Sequence, residues 1–342
     1  MSEQRYGIPY MGSKSKIARE IVETLPKAGT LYDLFAGGCA ITHAAMLSKK
    51  YKRIVANDIN PLIPQLFRDA ISGKYRDETR WISKEQFFDE RLIDGYIQTC
   101  WSFGSRGGEY LYGDNIVEWK KAMHWAVVYR DYEPAKKFGF DFSPIDVYPT
   151  IYERRICIRK VMKQMYEAGK LEKRDSHYYV KDKQLDHLQS LESLQSLESL
   201  QRLESLQRLS RLQRLERLES ISTLEISNAD YRDVKIESDS VIYCDIPYKG
   251  TAKYIVGDFD HEAFYDWARV QTVPVIVSGY DMPGSEWTSL WHKEKRSTLS
   301  PTANNKVMEH LFVLKKRRQD IMDILPVYQY DLFNTKARQF RI

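Results

Sequence analysis

The chain has 342 residues, enough to bury a sizeable core and to hold one large domain plus a smaller one, and a formal net charge of +5. That balance permits a polyanionic partner without requiring one, because clustering of charge decides such binding more than the total does. Four cysteines, Cys39, Cys100, Cys157 and Cys244, show neither metal-ligand pairing nor a disulfide framework, no apolar run could span a bilayer, and the polar start lacks signal-peptide character, so a soluble cytoplasmic protein without a metal is expected.

In chain order, a helix is predicted after Lys14. The stretch Leu31-Tyr32-Asp33-Leu34-Phe35-Ala36-Gly37-Gly38-Cys39-Ala40-Ile41 then reads as a strand entering a glycine turn and a helix. Glycines so placed let backbone approach a ligand closely. A second strand, Arg53-Ile54-Val55-Ala56-Asn57-Asp58-Ile59-Asn60, ends in an acid about twenty residues after the glycines, the spacing at which such folds grip a ribose. Together they point to an adenosine-containing cofactor.

Residues 61–184 turn mainly helical. Within them, Trp101-Ser102-Phe103-Gly104-Ser105-Arg106-Gly107-Gly108-Glu109-Tyr110-Leu111-Tyr112 alternates rings with small residues around one arginine. Such a loop suits stacking on bases and contact with phosphates, and it suits core packing equally well. The helix predicted over 152–163 carries Arg155 and Arg159 on a basic face, for a phosphate backbone or for water.

From Leu185 to Leu218 every third residue is leucine. On an α-helix successive leucines would step by about sixty degrees and wind around every face. Composition favours helix, an integer repeat suits a narrow solenoid, and a disordered spacer is the third form open to it. A tolerated insertion is the expectation, and its removal should leave the chemistry largely untouched.

After Leu224 the α/β pattern returns. Strands are predicted at 224–226, 241–243, 273–280 and 310–314, with a helix over 259–269 and a basic tail from Lys315. The strand Val241-Ile242-Tyr243-Cys244 stops at Asp245-Ile246-Pro247-Tyr248. In open α/β sheets ligands bind at that carboxyl edge, so an acid, a proline-fixed turn and a ring there form a candidate site for a flat polar substrate.

These motifs, in this order, resemble the Dam-type DNA adenine-N6 methyltransferases. Pro9-Tyr10-Met11-Gly12-Ser13-Lys14 resembles the opening motif, Asp33-Leu34-Phe35-Ala36-Gly37-Gly38 the glycine-rich cofactor motif, Asn57-Asp58-Ile59-Asn60 the ribose-binding acid, and Asn228-Ala229-Asp230-Tyr231 the adenine-contacting motif. Asp245-Ile246-Pro247-Tyr248 resembles the catalytic tetrad; Ile246 stands where the family usually has a proline, and Cys39 where it often has a third glycine.

The resemblance implies an α/β chain with a Rossmann-like S-adenosylmethionine-dependent sheet over 1–60 and 224–320. It implies a smaller, mainly helical target-recognition region over 61–184, which the leucine repeat, read as an insertion over 185–223, follows; a tail covers 321–342. Tyr10, Lys14, Asp33, Phe35, Gly37, Asp58, Ile59, Asp230 and Tyr231 would bind S-adenosylmethionine, with Lys14 on its carboxylate. Asp245, Ile246, Pro247 and Tyr248 would be catalytic. Arg106, Arg155, Arg159 and Lys249 would contact double-stranded DNA, the expected partner of a monomer. A DNA-binding protein without catalysis and an interaction protein working through the leucine repeat are the alternatives.

Overall fold

The computed structural model describes residues 5–105, 107–114, 116–138, 140–167, 171–174, 177–180, 203–215, 223–248, 259–296 and 306–322. They fall into two compact units, Met1–Gly73 with Leu215–Ile342, and Lys74–Arg214.

The first unit is built on a seven-stranded sheet. Its strands are β1 (Thr30–Asp33), β2 (Arg53–Asn57), β3 (Thr223–Ser227), β4 (Ser240–Cys244), β5 (Val275–Gly279), β6 (Trp287–Arg296) and β7 (Lys306–Leu314). Across the sheet they run β3-β2-β1-β4-β5-β7-β6. The first five are mutually parallel, while β7 is antiparallel to both β5 and β6. Every residue of β1, β4 and β5 is buried. That is why their sequences read as continuous apolar runs, as strands covered on both faces do. Tyr32, Val55, Ile242 and Val277 share one buried cluster with Phe264 and Trp287.

The helices of this unit are α1 (Ala18–Thr24), α2 (Ala40–Ser48), α3 (Leu62–Ile71), α4 (His261–Val270) and α5 (Lys315–Met322). Asp260 starts α4 by accepting the Ala263 amide, an ordinary side-chain cap. The basic run expected to open a tail instead begins α5. Strand β6 went unpredicted, because Trp287-Thr288-Ser289-Leu290-Trp291-His292-Lys293-Glu294 mixes rings with charge at a sheet edge.

The order of strands reverses between β1 and β4, which makes the gap beyond their carboxyl ends a topological switch point. Register sets the two loops side by side there: Asp33 pairs with Tyr243, and the Leu34 amide donates to the Tyr243 carbonyl at 3.1 Å.

The second unit is mainly helical, with helices at Lys84–Glu90, Gly95–Cys100, Val117–Tyr129, Ile151–Glu167 and Glu204–Gln213, and a hairpin pairing Leu171–Arg174 with His177–Val180. Trp101, Tyr110 and Tyr112 are buried; Trp81 meets Trp101 edge-on and stacks on Tyr112, and Trp101 stacks on Tyr110, so the aromatic loop is chiefly a packing device. Phe103 is the exception, 67% exposed on that loop. Arg154 is buried, donating to the carbonyls of Val127, Tyr148 and Pro149.

The compact units divide after Gly73 and after Arg214, so α3 belongs with the sheet and part of the leucine repeat with the second unit. Of the three forms open to that repeat, helix is what residues Glu204–Gln213 adopt, and Leu203, Leu206, Leu209, Leu212 and Leu215 are all buried. The winding stripe is accommodated because the helix is covered widely. Ser205 is buried against the Tyr112 hydroxyl, and Arg208 donates to the carbonyls of Thr99, Cys100 and Ser102. These residues are thus packed into the interior. Residues 185–202 and 216–222 of the repeat lie outside the described residues. Among the described residues no helix is long and apolar enough to cross a membrane.

Candidate active site

Asp33, at the end of β1, is fully buried, and its Oδ2 accepts from both the amide and the hydroxyl of Thr42 in the first turn of α2. It therefore caps α2 from the sheet. Burial lifts its carboxyl to about 7, against the opposing pull of the Thr42 hydrogen bonds.

The turn between Asp33 and α2 is tight. Gly37 has φ +43° and its amide donates to Asp58 Oδ2 at 2.8 Å. A side chain on Gly38 would run into the Tyr10 Cβ, so the ring of Tyr10 lies directly against this turn. Cys39 has φ +54°, the left-handed region that favours glycine. Its thiol is buried near the Gly37 carbonyl, and burial pushes it up, away from thiolate reactivity. His43 in α2 accepts the Gly7 amide through Nδ1, and burial holds the ring neutral with its titration lowered to about 4.

Three loops are laced together by asparagines. Asn57, buried at the end of β2, donates to the carbonyls of Leu34 and Ala229, both at 3.1 Å, and accepts the Ala229 amide at 3.1 Å. Asn228 donates to the carbonyls of Asp58 and Ile59. Asp58 itself accepts the Asn60 and Gly37 amides, one on each oxygen, and burial raises its carboxyl. Replacing Asn57 with Asp keeps its shape but turns the donor into an acceptor facing two carbonyls. Asn57→Asp should lose about 3 kcal/mol or more of stability, read as a lower denaturant midpoint at pH 8.

At the end of β4, Asp245 receives the Lys14 ammonium on Oδ1 at 2.6 Å. Lys14 is 4% exposed and also donates to the Tyr248 hydroxyl at 2.7 Å. Tyr248 donates in turn to Glu309 Oε1 at 2.8 Å, and that oxygen also accepts from Ser278 at 2.6 Å. The Tyr248 ring stacks on Tyr280 with centroids 4.5 Å apart. Burial and the carboxylates of Asp245 and Glu309 push its phenol up, so it stays protonated. Ile246 is buried, and the Pro247 carbonyl accepts from His261 Nε2 at 2.8 Å, which ties the turn to α4.

The other predicted residues are placed as follows. Lys14 is paired with Asp245. Tyr231 is buried against Phe35 and Trp267, and Asp230 accepts from Nε and Nη2 of Arg232, one on each oxygen. Ile59 is 50% exposed. Arg155, in the second unit, lies over the Tyr152 ring. Arg106 and Lys249 lie outside the described residues, as does the side chain of Arg159. Glu309 and Ser278 were not singled out in the sequence; a charged residue such as Glu309 in an amphipathic strand carries no local signal that it points inward.

Residues 10–123 match the family model of the D12 class N6 adenine-specific DNA methyltransferases. No curated protein matches the chain.

Proposed function

We propose that this chain, a D12 class N6 adenine-specific DNA methyltransferase, uses Asp245 and the Ile246 carbonyl to grip the exocyclic amine of an adenine flipped out of duplex DNA. The seven-stranded unit is the catalytic domain with a Rossmann-like topology, and the helical unit is the target-recognition part. The observation that carries this reading is the pairing of β1 with β4, which sets the glycine turn beside the tetrad at one switch point.

S-adenosylmethionine, the donor of this family, supplies a sulfonium methyl group. The residues present fit it. Asp33 Oδ1 is buried without a hydrogen-bond partner among the described residues, a costly state that an ammonium donor would relieve. Asp58 would accept ribose hydroxyls, Tyr10, Phe35 and Gly37 would line the turn, and Ile59, Asp230 and Tyr231 would border the adenine end.

The amine of adenine is a poor nucleophile because its lone pair is spread into the ring. Asp245 and the Ile246 carbonyl, by accepting its two hydrogens, favour a tetrahedral nitrogen and stabilise the positive charge that develops on it. Tyr248 supplies a flat platform, its other face covered by Tyr280, that holds the base in line. Flipping costs a few kcal/mol, which DNA contacts must offset. Arg106, Arg155, Arg159 and Lys249 remain the proposed cations for those contacts, and exposed Phe103 is a ring suited to stacking.

The test is incubation with labelled donor and unmethylated duplex DNA. Label in N6-methyladenine supports the reading; DNA binding without transfer, or label in cytosine, rejects it.

Asp33 gives the pH dependence. With its carboxyl raised to about 7, the empty protein carries the acid form below that pH, and pairing with an ammonium requires loss of the proton. Donor affinity should therefore fall by up to about tenfold per pH unit below 7, measurable by calorimetry from pH 8 to 5.5. The stability sign is opposite. The folded state binds the extra proton between 3.8 and about 7, so the burial penalty is present in full only above that window. Asp33→Asn should accordingly raise the melting temperature of the empty protein at pH 8 while removing donor binding.

A further inference from the structure

Glu309 is a fully buried carboxylate on β7, far in sequence from every motif the proposed chemistry uses. Taking a carboxylate out of water is expensive, and replacing such groups by apolar ones is often neutral or stabilising. Its presence calls for a role that an apolar residue could not fill.

From the geometry around it, we propose that Glu309 is a positioning residue that fixes the Tyr248 ring and divides the Lys14 charge between itself and Asp245. The inference rests on the reading of Asp245 and Tyr248 given above and deepens it.

Two features support this role. Lys14 can only donate, so the Tyr248 oxygen accepts from Lys14, and the phenolic hydrogen is directed to Glu309 Oε1. The hydroxyl is thereby held from both sides at the far end of the ring. Stacking on Tyr280 fixes the ring's distance from one face, but stacked rings slide sideways at little cost. The held hydroxyl removes that sliding, and Ser278 fixes the holder by donating to the same oxygen.

The second feature is the placement of Lys14, whose ammonium lies 2.6 Å from Asp245 and 3.7 Å from Glu309. With Glu309 charged, the ammonium answers to two carboxylates, and Asp245 retains more of its acceptor strength for an incoming amine. Without that charge, Lys14 would be drawn to Asp245 alone.

Glu309→Gln is the test variant, since it keeps the shape and an acceptor oxygen while removing the charge. At saturating DNA and donor its turnover should fall by about tenfold to a hundredfold, with donor Kd within about twofold of wild type and the melting temperature retained. A merely structural role would move stability or donor binding instead. Because Glu309 acts through the Tyr248 hydroxyl, the same substitution in a Tyr248→Phe background should cost much less than it does alone. Ser278→Ala should give an intermediate loss. Turnover within about threefold of wild type, a loss explained by unfolding or by weak donor binding, or full additivity with Tyr248→Phe would overturn the proposal. Should wild-type protein transfer nothing, the functional reading itself falls. The crystal structure of Glu309→Gln then decides: a Tyr248 ring displaced along Tyr280 supports the positioning role, and an unmoved ring ends it.

Discussion

Asp245→Asn should lose about a hundredfold to a thousandfold or more of its methyl-transfer rate, with donor affinity nearly unchanged. Asparagine keeps the volume of Asp245 and one carbonyl oxygen, so the Lys14 contact and the buried network behind it can persist. What changes is the group facing the amine. A carboxylate accepts and stabilises growing positive charge, whereas the amide nitrogen would point donor to donor. With Lys14 at 2.6 Å, Asp245 is placed as an electrostatic acceptor. The loss should therefore appear in turnover at saturating donor and DNA rather than in donor binding. Asp245→Ala is the harsher test, because it also strips Lys14 of its nearest counter-charge inside the protein. A variant with asparagine that transfers methyl groups at near wild-type rate would remove Asp245 from the mechanism.

The parts of this site that could be read from sequence are those where one local pattern dictates both conformation and position. A fully buried parallel strand ending in an acid is such a pattern, and β1, β2 and β4 were legible for that reason, together with Asp33, Asp58 and Asp245 at their ends. Side-chain partnerships were not legible. Lys14 and Asp245 are separated by 231 positions, and nothing near either residue says that they meet. Glu309 lies between Met308 and His310 on a strand whose exposed and buried positions alternate, so its inward direction depends on register with β5 and β6, which only tertiary structure supplies. At Asp230 and Tyr231 the motif was legible and the partners were not: Tyr231 packs on Phe35 and Trp267, and Arg232 holds Asp230.

The leucine repeat gives the second large effect, and it concerns stability of the helical unit. Leu209 is 3% exposed at the middle of Glu204–Gln213, flanked one turn away on each side by buried Leu206 and Leu212. Leu209→Ala should cost about 2–5 kcal/mol, a large share of what holds a domain of this size together. Deleting 203–215 should be far worse than the loss of its apolar contacts. The carbonyls of Thr99, Cys100 and Ser102 would lose Arg208, Tyr112 would lose Ser205, and buried Lys120 would lose Glu204 at 3.2 Å. All the residues assigned to the donor lie in the sheet unit, so the deletion variant should still bind S-adenosylmethionine while methylating no DNA. Proteolysis should then cut within 74–202 and leave the sheet unit's segments intact. If the shortened protein methylates DNA at the wild-type rate, the leucines are dispensable after all. A three-residue period would then have reached the interior of the second unit without contributing to its stability, which the burial of Leu203, Leu206, Leu209 and Leu212 argues against.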